Sequence, residues 1–286
     1  MRRISQFIYP TILFILSASA IMVWIAVFHF EARRGVLSIR VFDVGQGDAI
    51  FIEAPDGNQI LIDGGPDAAV LRRLGEIMLP WDRSIDAVIL THPHADHISG
   101  LIDVLRRYAV GRVIESGSEH SIAEYGEWRK EIERRGIPRT IAGRGQTITA
   151  GDLRLSILSP DEERMRSNEI HDAMVVLRLQ FGSSTALFTG DMEKNIEYRL
   201  AVSGDELFAD LLKIGHHGSK TSTSDFFLSR VRPRYAAISV GRKNRFGHPA
   251  AEVTERLAAH GIEIFRTDGS GTLTFVSDGQ KFVPMR

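Results

Sequence analysis

The stretch THPHADH, residues 91–97, holds three of the chain's ten histidines together with one aspartate. It follows a β-branched apolar run at 84–90 and precedes the segment 98–108, whose apolar residues recur at helical spacing. We therefore predict that the stretch is a loop between a buried strand and a helix. Asp96 is expected to cap that helix, which would begin directly after the loop.

The side chains of this loop offer imidazole nitrogen and carboxylate oxygen, which zinc, manganese and iron accept as ligands. In a loop they can point at two neighbouring positions, whereas a regular strand would turn them to alternate faces. A pair of ions about 4 Å apart suits in-line hydrolysis. A histidine-rich surface loop is the alternative, but the order and spacing favour a metal site. The side chains are His92, His94, Asp96 and His97.

The composition is that of a folded protein with a full-sized core, because 43% of the 286 residues are hydrophobic and 25% are charged. The formal net charge of −1 gives no general attraction to nucleic acid, so such binding would need a local patch. Cysteine is absent, which excludes disulfides, thiolate ligands and a cysteine nucleophile.

An apolar segment at 4–30, without Asp, Glu, Lys or Arg, is long enough to span a bilayer as one helix. A cleaved signal peptide is the alternative, but the apolar run continues beyond the usual core of about 7–15 residues. We therefore predict a transmembrane anchor at 1–35 and one folded domain at 36–286. Arginines on both sides of the segment leave its orientation open.

Two aspartates lie beside glycine where predicted strands end. Asp63 closes the run QILID, and Asp191 follows the run STALFTG. Such an aspartate usually makes a turn, but it can also orient a metal ligand from behind. Two of them alongside a histidine cluster predict a shared rim.

More histidines adjoin strands in the second half of the chain. His171 and Asp172 precede one apolar strand, and His216 and His217 follow another. The adjacent pair, with the Ser/Thr-rich turn and helix after it, is expected to supply a metal ligand and an anion-binding helix N-terminus. His120 lies in a polar stretch and is assigned to the surface.

The segment 226–251 contains no acidic residue and is the one basic patch of the sequence. A run of charged residues usually forms a solvated face. This run is close in sequence to His248, so a role in substrate binding is the alternative. The basic residues of the segment are Arg230, Arg232, Arg234, Arg242, Lys243 and Arg245.

Together these motifs resemble the metallo-β-lactamase superfamily: LIDGG precedes THPHADH, and LFTGD and HHGS follow it, across nearly all of 36–286. Within that superfamily, four motifs look like the extracytoplasmic hydrolase domain of ComEC-type competence proteins. The motifs are DVGQGD (43–48), KIGHHGS (213–219), SVGRKNRFGHP (239–249) and RTDGSG (266–271). The resemblance implies an α/β fold, namely an αββα four-layer sandwich with metals at one edge of its sheets.

The resemblance also implies a dinuclear site, for which zinc is expected and manganese is the alternative. His92 and His94 would hold the first metal, Asp96, His97 and His216 the second, and Asp191 would bridge them. His171 stands where many members have a third ligand of the first metal. ComEC-type sequences usually show Asn or Asp there. Two alternatives to a ligand role for His171 are therefore a histidine without a metal role and Asp172 as an oxygen ligand in its place.

Further residues of the motifs would support the ligands or contact substrate. The carboxylates expected behind the ligands are Asp63, Asp43 and Asp48. The residues assigned to catalysis are Asp96, Asp191, His217 and His248, the last two assisting the leaving group or contacting the phosphate. The residues assigned to substrate binding are Ser219, Arg242, Lys243 and Arg245. Spacing alone leaves open which of His216 and His217 binds metal.

We therefore predict a membrane-anchored, dinuclear metal-dependent hydrolase of a phosphodiester, such as single-stranded DNA. Its location would be the cell membrane, with a single pass and the hydrolase domain outside the cytoplasm. The resemblance does not extend to the many-helix channel and small β-barrel domain of complete competence proteins, so only the hydrolytic chemistry, and not DNA uptake, is expected to follow from it. The alternatives are a hydrolase of an ester, lactone, lactam or choline-phosphate substrate in the cell envelope, and a non-catalytic, metal-stabilised membrane module.

Overall fold

The computed structural model describes residues 2–33, 35–165 and 173–285. Its helices, numbered in chain order, are α1 (Arg2–Arg33), α2 (Ala69–Ile77), α3 (Ala95–Arg107), α4 (Ala123–Arg135), α5 (Glu162–Met165), α6 (Lys194–Val202), α7 (Asp225–Val231), α8 (Ala251–Ala259) and α9 (Thr267–Ser270). A 3-10 turn spans Gly215–Gly218.

The strands of the described residues form two large sheets and one short pair. The first sheet has the spatial order β17 (Phe282–Met285), β16 (Leu273–Ser277), β1 (Leu37–Val41), β2 (Ile50–Glu53), β3 (Gln59–Ile62), β5 (Ala87–Leu90), β7 (Val113–Glu115) and β8 (Arg139–Ile141). The second has the order β15 (Glu263–Arg266), β14 (Tyr235–Ile238), β13 (Leu211–Lys213), β12 (Ser184–Phe188), β11 (Val176–Phe181), β10 (Leu153–Ser159) and β9 (Thr147–Ala150). The pair is β4 (Ser84–Ile85) with β6 (Ala109–Val110).

The two sheets pack face to face, and helices cover their outer faces. Ile89 of β5 and Phe188 of β12 belong to the apolar core between the sheets. Val88, the neighbour of Ile89, packs on the other side in a core with residues of α2, α3 and α4. Leu187 of β12 likewise packs outward with residues of α6, α7 and α8. Strands buried on both faces read as continuous apolar runs, and the predicted α/β class with four layers is confirmed.

Parallel strands of both sheets bring the candidate residues to one edge. In the first sheet β3 and β5 run parallel, and Asp63 and the THPHADH loop follow directly on their carboxyl ends. In the second sheet β12, β13 and β14 run parallel, and they lead to Asp191, to the turn Gly215–Gly218 and to Ser239. The carboxyl ends of parallel strands are where α/β proteins place ligands.

Helix α3 begins at Ala95, earlier than predicted, so the expectation that Asp96 caps it is wrong. Among the described residues no side chain caps this helix, and Asp96 and His97 lie in its first turn. The carboxylate of Asp96 is directed at His217 instead, with 3.3 Å between Oδ2 and Nε2. The last two side chains of the loop motif are therefore held on a helix.

Two glycines allow backbone segments to meet at this edge. Gly47 has a φ of 142°, and a Cβ there would lie 2.2 Å from the carbonyl oxygen of Asp96. A Cβ on Gly100 would lie 1.9 Å from the carbonyl oxygen of Gly64. Any larger residue would push the β1–β2 connection or the turn after β3 away from α3.

The N-terminal segment forms α1, a helix of 32 residues with Pro10 inside it. Among the residues whose side chains the structure describes, no helix meets the length and apolarity needed to cross a membrane. The transmembrane helix predicted within 1–35 is thus not supported by the structure, and the division of the chain at residue 35 stays a prediction.

Candidate metal centre

Asp63 holds the start of the THPHADH loop in place. Its φ of 57° turns the buried carboxylate towards the loop. Oδ1 accepts a hydrogen bond from the Thr91 backbone N–H at 2.8 Å, and Oδ2 accepts one from the Thr91 hydroxyl at 2.7 Å. Oδ2 also lies 2.8 Å from Nδ1 of His97. Such a contact fixes the ring and leaves Nε2 of His97 for a ligand role.

Asp191 lies among four histidines. Its Oδ2 is 3.4 Å from Nε2 of His97 and 3.9 Å from Nε2 of both His92 and His216. Its Oδ1 is 3.6 Å from Nε2 of His217. A carboxylate within 4 Å of His92, predicted for the first metal, and of His97, predicted for the second, has the position that a bridging ligand requires.

Four side chains form a group that could hold one divalent ion. Asp96, His97, Asp191 and His217 each offer a ligand atom, and these atoms all lie within 4.8 Å of one another. Within the group, Oδ2 of Asp96 is 3.9 Å from Nε2 of His97. The donor set of two imidazoles and two carboxylates suits zinc or manganese.

The structure reverses the predicted places of the two adjacent histidines. Both have left-handed backbone conformations, with φ values of 48° for His216 and 53° for His217. His217 is buried, and its Nδ1 lies 2.9 Å from the carbonyl oxygen of Ser239. His216 is 27% exposed, and its Nδ1 lies 3.3 Å from Oε1 of Glu193. His217 therefore joins the ligand group, whereas His216 borders it.

The other two histidines of the loop motif lie side by side. Nε2 of His92 is 3.0 Å from Nδ1 of His94, and Nδ1 of His92 is 3.0 Å from the Thr91 hydroxyl. The half-buried His120, which the sequence assigned to the surface, has its ring 5.8 Å from that of His94. His171, the predicted third ligand here, and Asp172 lie outside the described residues.

Unpartnered buried atoms test whether a cation fits this centre. Nε2 of His97, Nε2 of His217 and Oδ1 of Asp191 are buried and make no hydrogen bond of regular geometry among the described residues, although carboxylate oxygens lie 3.4 and 3.3 Å from the two nitrogens. An unsatisfied buried polar atom costs about 1–3 kcal/mol. Three such atoms of one ligand group are therefore explained by a shared cation, and the residues fit a metal.

The charges of the group lead to the same conclusion. Burial would raise the pKa of Asp96, but His97 and His217 lower it to about 2. Burial likewise opposes the effect of His217 and His97 on Asp191, whose pKa is nevertheless well below its usual value. Burial would lower the pKa of His217, but Asp191 and Asp48 raise it to about 9. The ionised carboxylates are thus stabilised by nearby positive charge. A bound divalent ion would supply that charge in place of the protons on the imidazole rings.

A buried ion pair stands behind His217. Lys213 and Asp48, each 1% exposed, are paired as ions, and Nζ of Lys213 also donates to the carbonyl oxygen of Gly190 at 3.0 Å. Oδ1 of Asp48 lies 3.4 Å from Nδ1 of His217. No role was predicted for Lys213 from the sequence. The available signal was a lysine at the end of the apolar strand β13, two residues before the histidine turn.

Asp43 does not lie behind the ligands, and this prediction is wrong. Its Oδ2 is 3.4 Å from Nη2 of Arg73 on α2, and its Oδ1 accepts a hydrogen bond from the Gly45 N–H at 3.3 Å. The two aspartates of the DVGQGD motif therefore differ, since only Asp48 contacts a residue of the metal centre within the described structure.

The expected anion site at the start of α7 is filled by the protein itself. The Ser224 N–H donates to Oε2 of Glu197 at 2.8 Å, and the Thr223 N–H donates to Oε1. Ser219, assigned to substrate binding, is buried, with its hydroxyl 3.0 Å from that of Thr221. The N–H groups of Thr223 and Ser224 and the hydroxyl of Ser219 therefore have partners within the protein.

The remaining predicted substrate-binding residues lie on the connection from β14 to α8. Arg242, Lys243 and Arg245 are exposed, and Nε of Arg242 donates to the carbonyl oxygen of Asp268 at 2.9 Å. The ring of His248 lies 5.9 Å from that of His216. This connection therefore borders the metal centre on the side of His216.

Replacing Asp63 with asparagine should weaken metal binding by about 10- to 100-fold, because the amide cannot hold Thr91 and His97 as the carboxylate does. Competition with a chromophoric chelator measures the metal affinity. The matched control is Asp43→Asn, which alters a carboxylate in contact with Arg73 and should leave the affinity unchanged. Equal affinities for both variants would show that Asp63 does not orient a ligand.

Comparisons with known proteins agree with this geometry. The sequence profile of the Metallo-beta-lactamase superfamily matches residues 42–242. The chain is 31% identical to ComE operon protein 3 of Bacillus subtilis, over 83% of its own length and 32% of that protein. It is 29% identical to competence protein ComA of Neisseria gonorrhoeae, over 83% of its length and 32% of that protein. The chain thus spans about a third of these curated relatives.

Among solved structures, the metallo-beta-lactamase fold protein YhfI from Bacillus subtilis superposes with a TM-score of 0.59. The match covers 84% of this chain and 100% of YhfI, at 17% sequence identity. At that identity the likeness concerns the fold alone.

Proposed function

Since the chain belongs to the metallo-beta-lactamase superfamily, we propose that it is a dinuclear, metal-dependent phosphodiesterase. The observation that carries the proposal is the group of ligand atoms on Asp96, His97, Asp191 and His217, which all lie within 4.8 Å of one another. The name of one relative, competence protein ComA, supports a nucleic acid as the proposed substrate class. Because the chain spans about a third of that protein, no role in DNA uptake is included.

The proposal assigns the ions to two sets of side chains that share Asp191. Asp96, His97 and His217 would hold one ion, and His92 and His94 the other. Zinc is the expected metal, and manganese is the alternative. Two such divalent ions, when bound, would lower the pKa of an attacking water and stabilise negative charge on the phosphoryl oxygens. No side-chain nucleophile is needed, and Asp63 and Asp48 keep His97 and His217 oriented.

His216 and His248 are the groups we propose for the leaving oxygen, in place of His217. Glu193 holds Nδ1 of His216, and Nε2 of that ring faces Asp191 at 3.9 Å. Burial, together with the neighbouring His216 and His217, lowers the pKa of His248, so a neutral imidazole faces the substrate. His216 would deliver the proton, and His248 would contact the phosphate through a hydrogen bond.

The two adjacent histidines give a paired prediction. His217→Ala should reduce the metal content of the chain from two equivalents to one, since its Nε2 belongs to the ligand group. His216→Ala should retain the metals but lower kcat by about 100-fold or more, as expected for loss of a proton donor. Metal analysis and steady-state kinetics on both variants check this. Metal loss in His216→Ala alone would restore the opposite assignment.

Hydrolysis of bis-(p-nitrophenyl) phosphate by the purified full chain tests the proposed function. We expect turnover that disappears with a chelator and returns with zinc or manganese. The His94→Ala, Asp96→Ala double variant is the control, because it removes one residue from each proposed metal set. Absence of turnover in the metal-loaded protein would contradict the proposal, and with esters and lactones also inert it would favour a non-catalytic metal-stabilised module.

An ester, lactone, lactam or choline-phosphate substrate is the second candidate, and the net charge of −1 favours it. A nuclease that tracks long DNA usually carries a broad basic groove. Activity on long DNA that falls steeply with salt, while activity on small esters is absent, would reject this candidate.

Membrane attachment with the hydrolase domain outside the cytoplasm remains a separate proposal, supported by the uncharged segment 4–30. Extraction of cell membranes with alkaline carbonate tests attachment. Complete release of the chain from the membrane fraction would contradict membrane attachment, and the proposed hydrolytic activity would be unaffected.

A further inference from the structure

An exposed aromatic ring stands beside the metal centre, on the connection from β14 to α8. Phe246 is 56% exposed, and its ring lies 5.7 Å from that of His248 with an angle of 13° between the planes. The ring of His248 lies 5.9 Å from that of His216, whose Nε2 faces Asp191. Two consecutive ring contacts therefore lead from Phe246 to the centre.

The connection that carries Phe246 is held in a fixed shape by Asn244. The amide of Asn244 donates to the carbonyl oxygens of Gly241 and His248 at 2.9 and 2.8 Å and accepts from the His248 N–H at 2.9 Å. The Ala250 N–H donates to the carbonyl oxygen of Gly218 at 2.9 Å, which joins the connection to the histidine turn. An ordered segment thus holds Phe246 in solvent. Because only buried apolar surface stabilises a fold, the exposed part of this ring does not contribute to the stability of the chain.

The surroundings of the ring are basic. Cζ of Arg245 lies 5.2 Å from the ring centroid of Phe246, and Arg242 and Lys243 are exposed on the same connection. No acidic residue occurs between 226 and 251. An aromatic face with cations beside it matches a base and its phosphates.

We propose that Phe246 is a stacking platform for one nucleobase of a single-stranded nucleic acid whose phosphate lies at the metal centre. The inference rests on the proposed function and narrows its substrate class. A duplex keeps its bases stacked on each other, so the ring requires an unpaired base. A choline-phosphate would bring a quaternary cation to a ring that already has Arg245 beside it, and the like charges disfavour that ligand.

Binding of a non-cleavable strand tests the platform separately from hydrolysis. The probe is a short phosphorothioate oligothymidylate with a fluorescent label, and its affinity for the metal-loaded full chain is measured by anisotropy. Phe246→Leu should weaken binding by about tenfold, the effect of losing one base stacked on an aromatic ring. Phe246→Tyr should restore binding, because the flat face is kept.

Two controls separate stacking from a general loss of surface. The first control is Phe226→Leu on α7. Phe226 is also exposed and has Cζ of Arg230 5.5 Å from its ring centroid, but its neighbouring ring is that of Tyr198 and not a histidine. This variant should bind like the unaltered chain. A strand of the same length with abasic sugars should bind Phe246→Leu and the unaltered chain equally.

Three results would overturn the proposal. They are unchanged oligothymidylate binding by Phe246→Leu, an equal loss on the abasic strand, and preference of the unaltered chain for anionic phospholipid vesicles over the strand. Failure of the proposed function is a different result, namely absence of phosphodiester turnover in the metal-loaded chain.

Discussion

Replacement of Asp191 by asparagine is expected to lower kcat for phosphodiester hydrolysis by at least about a thousandfold while leaving the fold intact. Asparagine keeps the shape of the side chain and removes its charge. Asp191 Oδ2 lies 3.4 Å from Nε2 of His97, in one proposed metal set, and 3.9 Å from Nε2 of His92, in the other, so a single change affects both sets. Kinetics with bis-(p-nitrophenyl) phosphate and metal analysis of the same sample measure the effect.

The control for this variant is Asp43→Asn, whose carboxylate contacts Arg73. It should retain full turnover and full metal content. An Asp191→Asn chain that keeps ordinary turnover would remove Asp191 from its bridging role. Loss of turnover in both variants would point to a general disturbance of the protein.

Replacement of Lys213 by methionine is expected to lower the free energy of unfolding by about 3–5 kcal/mol, because it leaves the Asp48 carboxylate buried without its partner. Both side chains are 1% exposed, so solvent cannot take the place of the lysine. Adding Asp48→Asn to this variant should recover most of the loss, since the unpaired charge is then removed. Urea unfolding of the single and double variants measures both effects.

The matched control is Arg73→Met, which breaks the more exposed pair with Asp43 and should change stability by no more than about 1 kcal/mol. If Lys213→Met and Arg73→Met lowered stability equally, the buried pair would have no special role behind His217. The double variant keeps the test decisive when the single variant is too unstable to purify.

Much of the fold could be predicted from local sequence. The apolar run before THPHADH and the helical spacing after it correctly predicted a strand before this stretch and a helix after it, although Ala95, Asp96 and His97 already belong to α3. The motifs LIDGG, THPHADH, LFTGD and HHGS identified the superfamily, and with it the four layers of the fold, and both predictions are confirmed. Strand β14 was not foreseen, because the arginines around it dominated the composition of that segment. Helices α2 and α6 were also missed.

The candidate site was predictable where a single strand end fixes a side chain, as for Asp63 and Asp191. It was not predictable for His216 and His217, which are neighbours in one short 3-10 turn. The path of that turn decides which of the two rings lies inwards, and sequence spacing carries no record of it. The roles of Asp43, Asp48 and Lys213 depend on contacts between segments distant in the sequence, so only the folded chain distinguishes Asp48 from Asp43.

The metal content of the purified full chain, compared with that of the His94→Ala, Asp96→Ala double variant, decides whether the metal centre exists. We predict two divalent ions per chain in the unaltered protein and a clear loss in the double variant. A chain that binds no divalent ion, with the fold intact by circular dichroism, would contradict the metal centre and the hydrolytic function proposed from it.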